Sequence, residues 1–190
     1  MKILVIGGQG LIGSAICKHL IDNHTVHFYD LKTPDNMGTL DQQYDAVIDC
    51  ARYASSQEQI EMWKRASKGH PRRALILFSS IYGHKAPDFS IYPGTEIPET
   101  PLEYAMSKAG VEQATRFLAQ KLKPYNIQVN CIAPGGVFNN HSDEFHANYV
   151  HAGRTSMIEP KNILPAIDML LHPDNAVNGQ VIPVDGGWSL

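Results

Sequence analysis

Lys2-Ile-Leu-Val-Ile6 runs directly into Gly7-Gly8-Gln9-Gly10-Leu11-Ile12-Gly13, and a helix-like stretch from Ser14 to Ile21 follows. The short, unbroken apolar run reads as a strand buried on both faces, as strands of parallel sheets are. Glycines at G-x-x-G-x-x-G spacing between a strand and a helix permit a tight turn and let the backbone approach a pyrophosphate at the helix N-terminus. Gly7, Gly10 and Gly13 are therefore candidate phosphate contacts. The next apolar run, Thr25-Val-His-Phe-Tyr-Asp30, ends in an acid. A carboxylate there suits hydrogen bonds from adenosine ribose hydroxyls, which favours NAD over NADP as the dinucleotide; Lys32 weighs the other way.

The same alternation continues along the chain. Tyr44 to Cys50 reads as a strand, 57–68 as a helix, 74–80 as a strand and 101–123 as a helix whose first turn suits Pro101. Residues 127–133 form a further strand, 141–151 and 160–172 two helices, and 180–185 a closing strand. Strands alternating with helices predict an α/β fold, a Rossmann-like doubly wound parallel sheet. With 190 residues and 43% hydrophobic content, one domain spanning 1–190 is expected.

Two further stretches carry chemistry. Arg73-Ala-Leu-Ile-Leu-Phe-Ser-Ser80 is a buried-strand run ending in hydroxyls, and catalytic groups of open α/β sheets gather at the carboxyl ends of strands. In Tyr104-Ala-Met-Ser-Lys108 the phenol and the ammonium share one helix face. A nearby cation favours phenolate over phenol, which makes a tyrosine a usable general acid/base for hydroxyl–carbonyl interconversion.

In this order the motifs resemble the short-chain dehydrogenase/reductase family: the glycine turn, the strand-end serines, Tyr104/Lys108, Asn130-Cys-Ile-Ala-Pro-Gly135 and Asn178 to Leu190. The resemblance implies an NAD(P)-dependent oxidoreductase with catalytic residues Ser80, Tyr104 and Lys108, Ser80 being preferred to Ser79 because it lies three residues before Gly83. It implies cofactor contacts from Leu11, Ile12 and Ala51, from Lys108 to the nicotinamide ribose, and from Pro134, Gly135 and Val137 against the nicotinamide. It gives Asn139 the place of a threonine that contacts the carboxamide. A narrower likeness, through Phe78 to Gly83, Ala86 to Thr95 and Pro134 to Asn140, is to oxidoreductases of surface-sugar and flagellin modification. A small-molecule substrate, a hydroxyl-bearing and nucleotide-activated sugar among them, is then expected between walls at 84–100, with Tyr92, Thr95 and Glu96, and at 138–156. The family also implies a homodimer or homotetramer through the helix bearing Tyr104.

Departures from the family are equally plain. Asp30 and Asp45 stand too close for another helix and strand, so one βα unit after the second strand is expected to be missing; Asp41 is a weak substitute for the acid that unit would bring to the adenine. Ala51-Arg52-Tyr53-Ala54 replaces Asn-Asn-Ala-Gly, and helix 57–68 lacks the asparagine of the proton relay. These gaps keep two other readings open: a non-catalytic module binding NAD or a nucleotide sugar, and an NAD-dependent sugar epimerase or dehydratase.

Composition narrows the classes. A net charge of −3 with 18% charged residues gives no basic footprint for nucleic acid. No apolar stretch reaches the roughly 18 residues of a membrane span, and the N-terminus enters a strand without a secretory pattern, so a cytoplasmic protein is expected. Cys17, Cys50 and Cys131 read as reduced core thiols. The five-residue spacing of His141, His146 and His151 spreads them around a helix, which predicts a polar surface and no metal site. Trp188 reads as packing.

Overall fold

Burial on both faces sets the sheet. This computed structural model describes residues 1–30, 40, 42–53, 55–67, 71–92 and 102–190. Strand β1 (Lys2–Ile6) lies between β2 (Thr25–Tyr29) and β3 (Ala46–Asp49), followed outward by β4 (Ala74–Phe78), β5 (Gln128–Pro134) and β6 (Val181–Val184). All five pairings are parallel, in the order β2-β1-β3-β4-β5-β6. Successive side chains alternate between two apolar layers. Ile3, Val5, Ile48 and Ile76 meet α1 (Leu11–Leu20) and α5 (Leu164–Leu171) through Ile16, Leu20, Ile167 and Leu170. Leu4, Ile6, Leu75 and Leu77 meet α2 (Ser56–Ser67) and α3 (Leu102–Leu122) through Met62, Trp63, Val111 and Leu122. Each such side chain taken out of water is worth about 1.5–3 kcal/mol, which is what holds helices on both faces. The remaining helix, α4 (Asp143–Gly153), packs with Trp188 and Ile91 at the carboxyl edge of the sheet.

The expected loss of a βα unit agrees with the topology of the described residues, among which β2 is the edge strand and the chain re-enters the sheet at Ala46 on the far side of β1. Leu40 and Tyr44, both 2% exposed, fill the apolar layer beneath this edge. Burial pushes the Tyr44 hydroxyl up to about 12, and the hydroxyl lies 3.2 Å from His27 Nδ1 while Lys2 Nζ sits 5.1 Å from the ring centroid. Lys32, Asp41, Ala54, Thr95, Glu96 and Pro101, named in the sequence, lie outside the described residues.

Two element assignments need correction. The helix expected over 160–172 is a 3₁₀ turn, Pro160–Ile163, followed by α5 from Leu164. Pro165 lacks the N–H that a continuous α-helix would need, so the chain tightens before it. The expected helix 141–151 starts at Asp143, where the Ser142 hydroxyl accepts the Phe145 N–H at 3.2 Å. The three cysteines are free thiols, and no helix among the described residues is long and apolar enough to cross a membrane.

The glycine turn closes the first βα unit. Gly7 adopts φ +80°, and a Cβ on Gly13 would stand 2.1 Å from the Gly7 carbonyl oxygen. Gly13→Ala is therefore expected to cost about 1–3 kcal/mol through overpacking, seen as a lower urea midpoint. Gly10→Ala, whose Cβ would meet the Gly7 oxygen alone at 3.2 Å, should lower that midpoint less.

Candidate active site

Because every strand runs the same way, the loops after β3, β4 and β5 open on one edge. They surround a cleft of about 590 Å³ whose lining includes Ile12, Ala51, Ser80, Tyr104, Lys108, Pro134, Gly135 and Val137, eight of the residues singled out in the sequence. Gly7, Gly10, Leu11, Gly13 and Asp30 are not in that lining; they form the adjoining turn after β1 and the end of β2. There the Gln9 N–H donates to Asp30 Oδ2 at 3.3 Å, which ties the acid to the glycine turn. Helix α1 begins at Leu11 behind Gly10, which offers no side-chain cap, so its first N–H groups have no partner within the helix.

The serines divide their work. Ser79, 5% exposed, donates its hydroxyl to the Lys108 carbonyl at 2.9 Å, with Glu112 Oε1 at 3.2 Å. Ser80, in extended conformation, accepts the Tyr82 N–H at 3.3 Å and starts the 3₁₀ turn Ile81–Gly83. Its hydroxyl proton is left for another acceptor.

Helix α3 presents Tyr104, Lys108 and Glu112 at successive turns of one face. Lys108 Nζ donates to the Phe78 carbonyl at 3.1 Å and lies 5.6 Å from the Tyr104 ring centroid. Burial pushes the Lys108 ammonium below its ordinary value; Asp49 opposes the shift, and the like charge of Arg52 adds to it. Arg52 Cζ lies 6.0 Å from the same Tyr104 centroid. Burial also pushes the Tyr82 and Tyr149 hydroxyls up, which holds both as neutral phenols. Among the described tyrosines of the cleft, Tyr104 is the one with cations over its ring.

Two buried carboxylates brace this arrangement, and neither was found in the sequence. Glu112, 5% exposed, lies 2.7 Å from His84 Nδ1 and so links the turn after Ser80 to α3. Its place one turn beyond Lys108 was a signal that helical spacing offered. Asp49, 2% exposed at the end of β3, accepts from the Trp63 indole at 2.6 Å, the Tyr53 hydroxyl at 2.9 Å and the Ala51 N–H at 3.1 Å. Burial raises its carboxyl to about 6 against these hydrogen bonds and the attraction of Lys108.

The far wall comes from the β5 loop and α4. A bridge between Val137 and Ile158 and a 2.9 Å bond from the Gly136 N–H to the Tyr149 hydroxyl fix the loop. His141, expected on a polar surface, lines the cleft instead and stacks on Phe145 at 4.9 Å and 17°. It precedes α4, so helical spacing did not govern it. Asn139 is exposed and outside the lining. Of the wall expected at 84–100, the described part is 84–92, and from it Tyr92 reaches the cleft beside Tyr82. Trp188, 4% exposed, stacks on Tyr149 at 5.2 Å.

Comparison with known proteins bears on this geometry. A family model described as "Enoyl-(Acyl carrier protein) reductase" matches residues 89–189. The chain is 34% identical over 138 residues to post-translational flagellin modification protein A of Campylobacter coli, covering 72% of this chain and 52% of that protein. It is 32% identical over 109 residues to 2-dehydro-3-deoxy-D-gluconate 5-dehydrogenase of Escherichia coli (strain K12), covering 52% and 41% respectively. The chain thus spans about half the length of these curated relatives. The crystal structure of a short chain dehydrogenase from Leptospira borgpetersenii with bound NAD+ superposes with a TM-score of 0.78 at 24% identity, covering 100% of this chain and 92% of that one.

Asp49 predicts a pH dependence. A carboxyl raised to about 6 from its ordinary 3.8 binds its proton more tightly in the folded state. Its contribution to stability is therefore complete at low pH and lost as pH rises through about 6. Urea midpoints of the wild type, measured relative to Asp49→Asn, are expected to fall between about pH 4 and pH 6 and then level; parallel curves would contradict this.

Proposed function

As a member of the short-chain dehydrogenase/reductase family, the chain is one that we propose catalyses hydride exchange between a nicotinamide dinucleotide and a hydroxyl or carbonyl substrate. The observation that carries this is the convergence of Ser80, Tyr104 and Lys108 in one cleft, with Lys108 5.6 Å from the Tyr104 ring centroid.

The residues suit the dinucleotide. A Cβ on Gly10 would meet little of the chain, so the face above the uncapped start of α1 is open to a pyrophosphate. Leu11, Ile12 and Gly13 would supply N–H groups there, Asp30 would accept from ribose hydroxyls, and NAD is preferred to NADP on that ground. Ala51, Pro134, Gly135 and Val137 would border the nicotinamide half. Bound there, the nicotinamide supplies a two-electron acceptor or donor for the substrate carbon.

The chain's own residues handle the proton. Ser80 and Tyr104 hold the substrate oxygen by hydrogen bonds. In oxidation Tyr104 takes the hydroxyl proton as the carbonyl forms; in reduction it returns that proton. Lys108 stabilises negative charge on the phenol oxygen, and the Phe78 carbonyl and Ser79 fix its position. Phe145, His141 and Tyr92 offer flat apolar faces of the kind that take the carbon face of a sugar. The names of two relatives, a flagellin modification protein and a sugar-acid dehydrogenase, support a sugar-like substrate. Exposed Leu102, Met106 and Phe117 along α3 support a homodimer or homotetramer through that helix; the cytoplasm is the compartment we propose.

Tyr104→Phe is expected to lower turnover of sugar alcohols and sugar acids about 10²–10⁴-fold, followed by NADH absorbance at about 340 nm, while calorimetric NADH affinity persists. Unchanged turnover would refute the assignment. Turnover absent in the wild type despite NADH binding would favour the binding module, and substrate conversion without net NADH change the epimerase. Phe117→Glu should shift the oligomer seen by light scattering towards monomer.

A further inference from the structure

Arg52 stands where the family pattern places no side chain of this kind, at the point where β3 leaves the sheet. Its guanidinium reaches the Tyr104 ring, with Cζ 6.0 Å from the centroid, and it lines the same cleft. Lys108, the other cation there, is half-buried and engaged by the Phe78 carbonyl. Arg52 is exposed, and among the described residues no carboxylate forms an ion pair with it. The acid on its own loop, Asp49, turns inward and is held by Trp63, Tyr53 and the Ala51 N–H. Two cations thus converge on one phenol ring, and the carboxylate that ends β3 is spent elsewhere.

Such a site favours an anion supplied from outside the chain. A guanidinium matches the two oxygens of a carboxylate or phosphate with paired N–H donors, which an ammonium does not. Resting on the oxidoreductase reading above, we infer that Arg52 binds an oxyanion of the substrate close to the reacting carbon. The substrates are then anionic: hydroxy or keto sugar acids, or phosphate-bearing sugars, in preference to neutral polyols. The aromatic wall made by His141, Phe145 and Tyr149 would take the apolar face of the same ligand. The pyrophosphate of the dinucleotide has its own place at the glycine turn after β1, and the arms below separate the two sources of oxyanion.

The test is calorimetric titration of wild type, Arg52→Gln and Arg52→Lys with D-gluconate, its neutral counterpart D-sorbitol, inorganic phosphate and NADH. The sugar and phosphate titrations are run with and without saturating NADH. Wild type is expected to prefer D-gluconate over D-sorbitol by about tenfold or more, and to bind phosphate. Arg52→Gln should abolish both the preference and the phosphate binding, Arg52→Lys should restore them in part, and NADH affinity should be the same in all three. Equal binding of gluconate and sorbitol by the wild type, lack of binding of both included, overturns the inference. So does a preference that survives in Arg52→Gln, and so does a loss of NADH affinity in that variant matching its loss of anion affinity. Absence of NADH binding in every form would instead strike the oxidoreductase reading, since the anion preference is also read without NADH. Arg52 is exposed, so thermal melts of the variants should coincide with the wild type.

Discussion

Parallel pairing of six strands, enforced by apolar layers on both faces, is the constraint on which the rest depends. A sheet buried on both sides must return the chain through helices, and each return starts its next strand at the same edge. All carboxyl ends therefore face one way. The turn after β1, the Arg52 loop after β3, the Ser80 turn after β4 and the Gly136 loop after β5 become neighbours although they lie far apart in sequence.

Helix α3 lines the cleft on that edge. Its stripe of Tyr104, Lys108 and Glu112 crosses the start of the Ser79–Ser80 turn, and Lys108 and Glu112 are anchored differently. Lys108 bonds the end of β4 through Phe78, and Glu112 reaches both Ser79 and His84. The loop carrying Ser80 is thus fastened to the helix carrying Tyr104 from two sides. Burying a carboxylate without partners would be costly; Glu112 and Asp49 both have them, so the buried charge serves to fix geometry.

The edge by β2 shows how a shortened member keeps its sheet. Leu40 and Tyr44 are buried in the apolar layer beneath it, and His27 and Lys2 cluster on Tyr44. The glycine turn and Asp30 are joined through Gln9, which fixes the turn of the first βα unit against the end of β2.

Much of the fold was legible in local pattern. Apolar runs marked all six strands, the glycine spacing marked the first turn, and the four-residue step placed Tyr104 and Lys108 on one helix face. These features rest on interactions between residues near in sequence, and a periodic pattern records them. The break before Pro165 is local too, yet the apolar spacing continues across it and conceals it. What the pattern could not record was which loops meet. Asp49 bonding Trp63, Glu112 bonding His84, His141 turning into the cleft and Arg52 reaching Tyr104 all depend on strand order and on how far each loop projects. The amino-acid order determined the strands, the helices and the turn that begins them. Only the packed sheet decided the company each polar side chain keeps, because those contacts are made across space by elements whose spacing is set by the core.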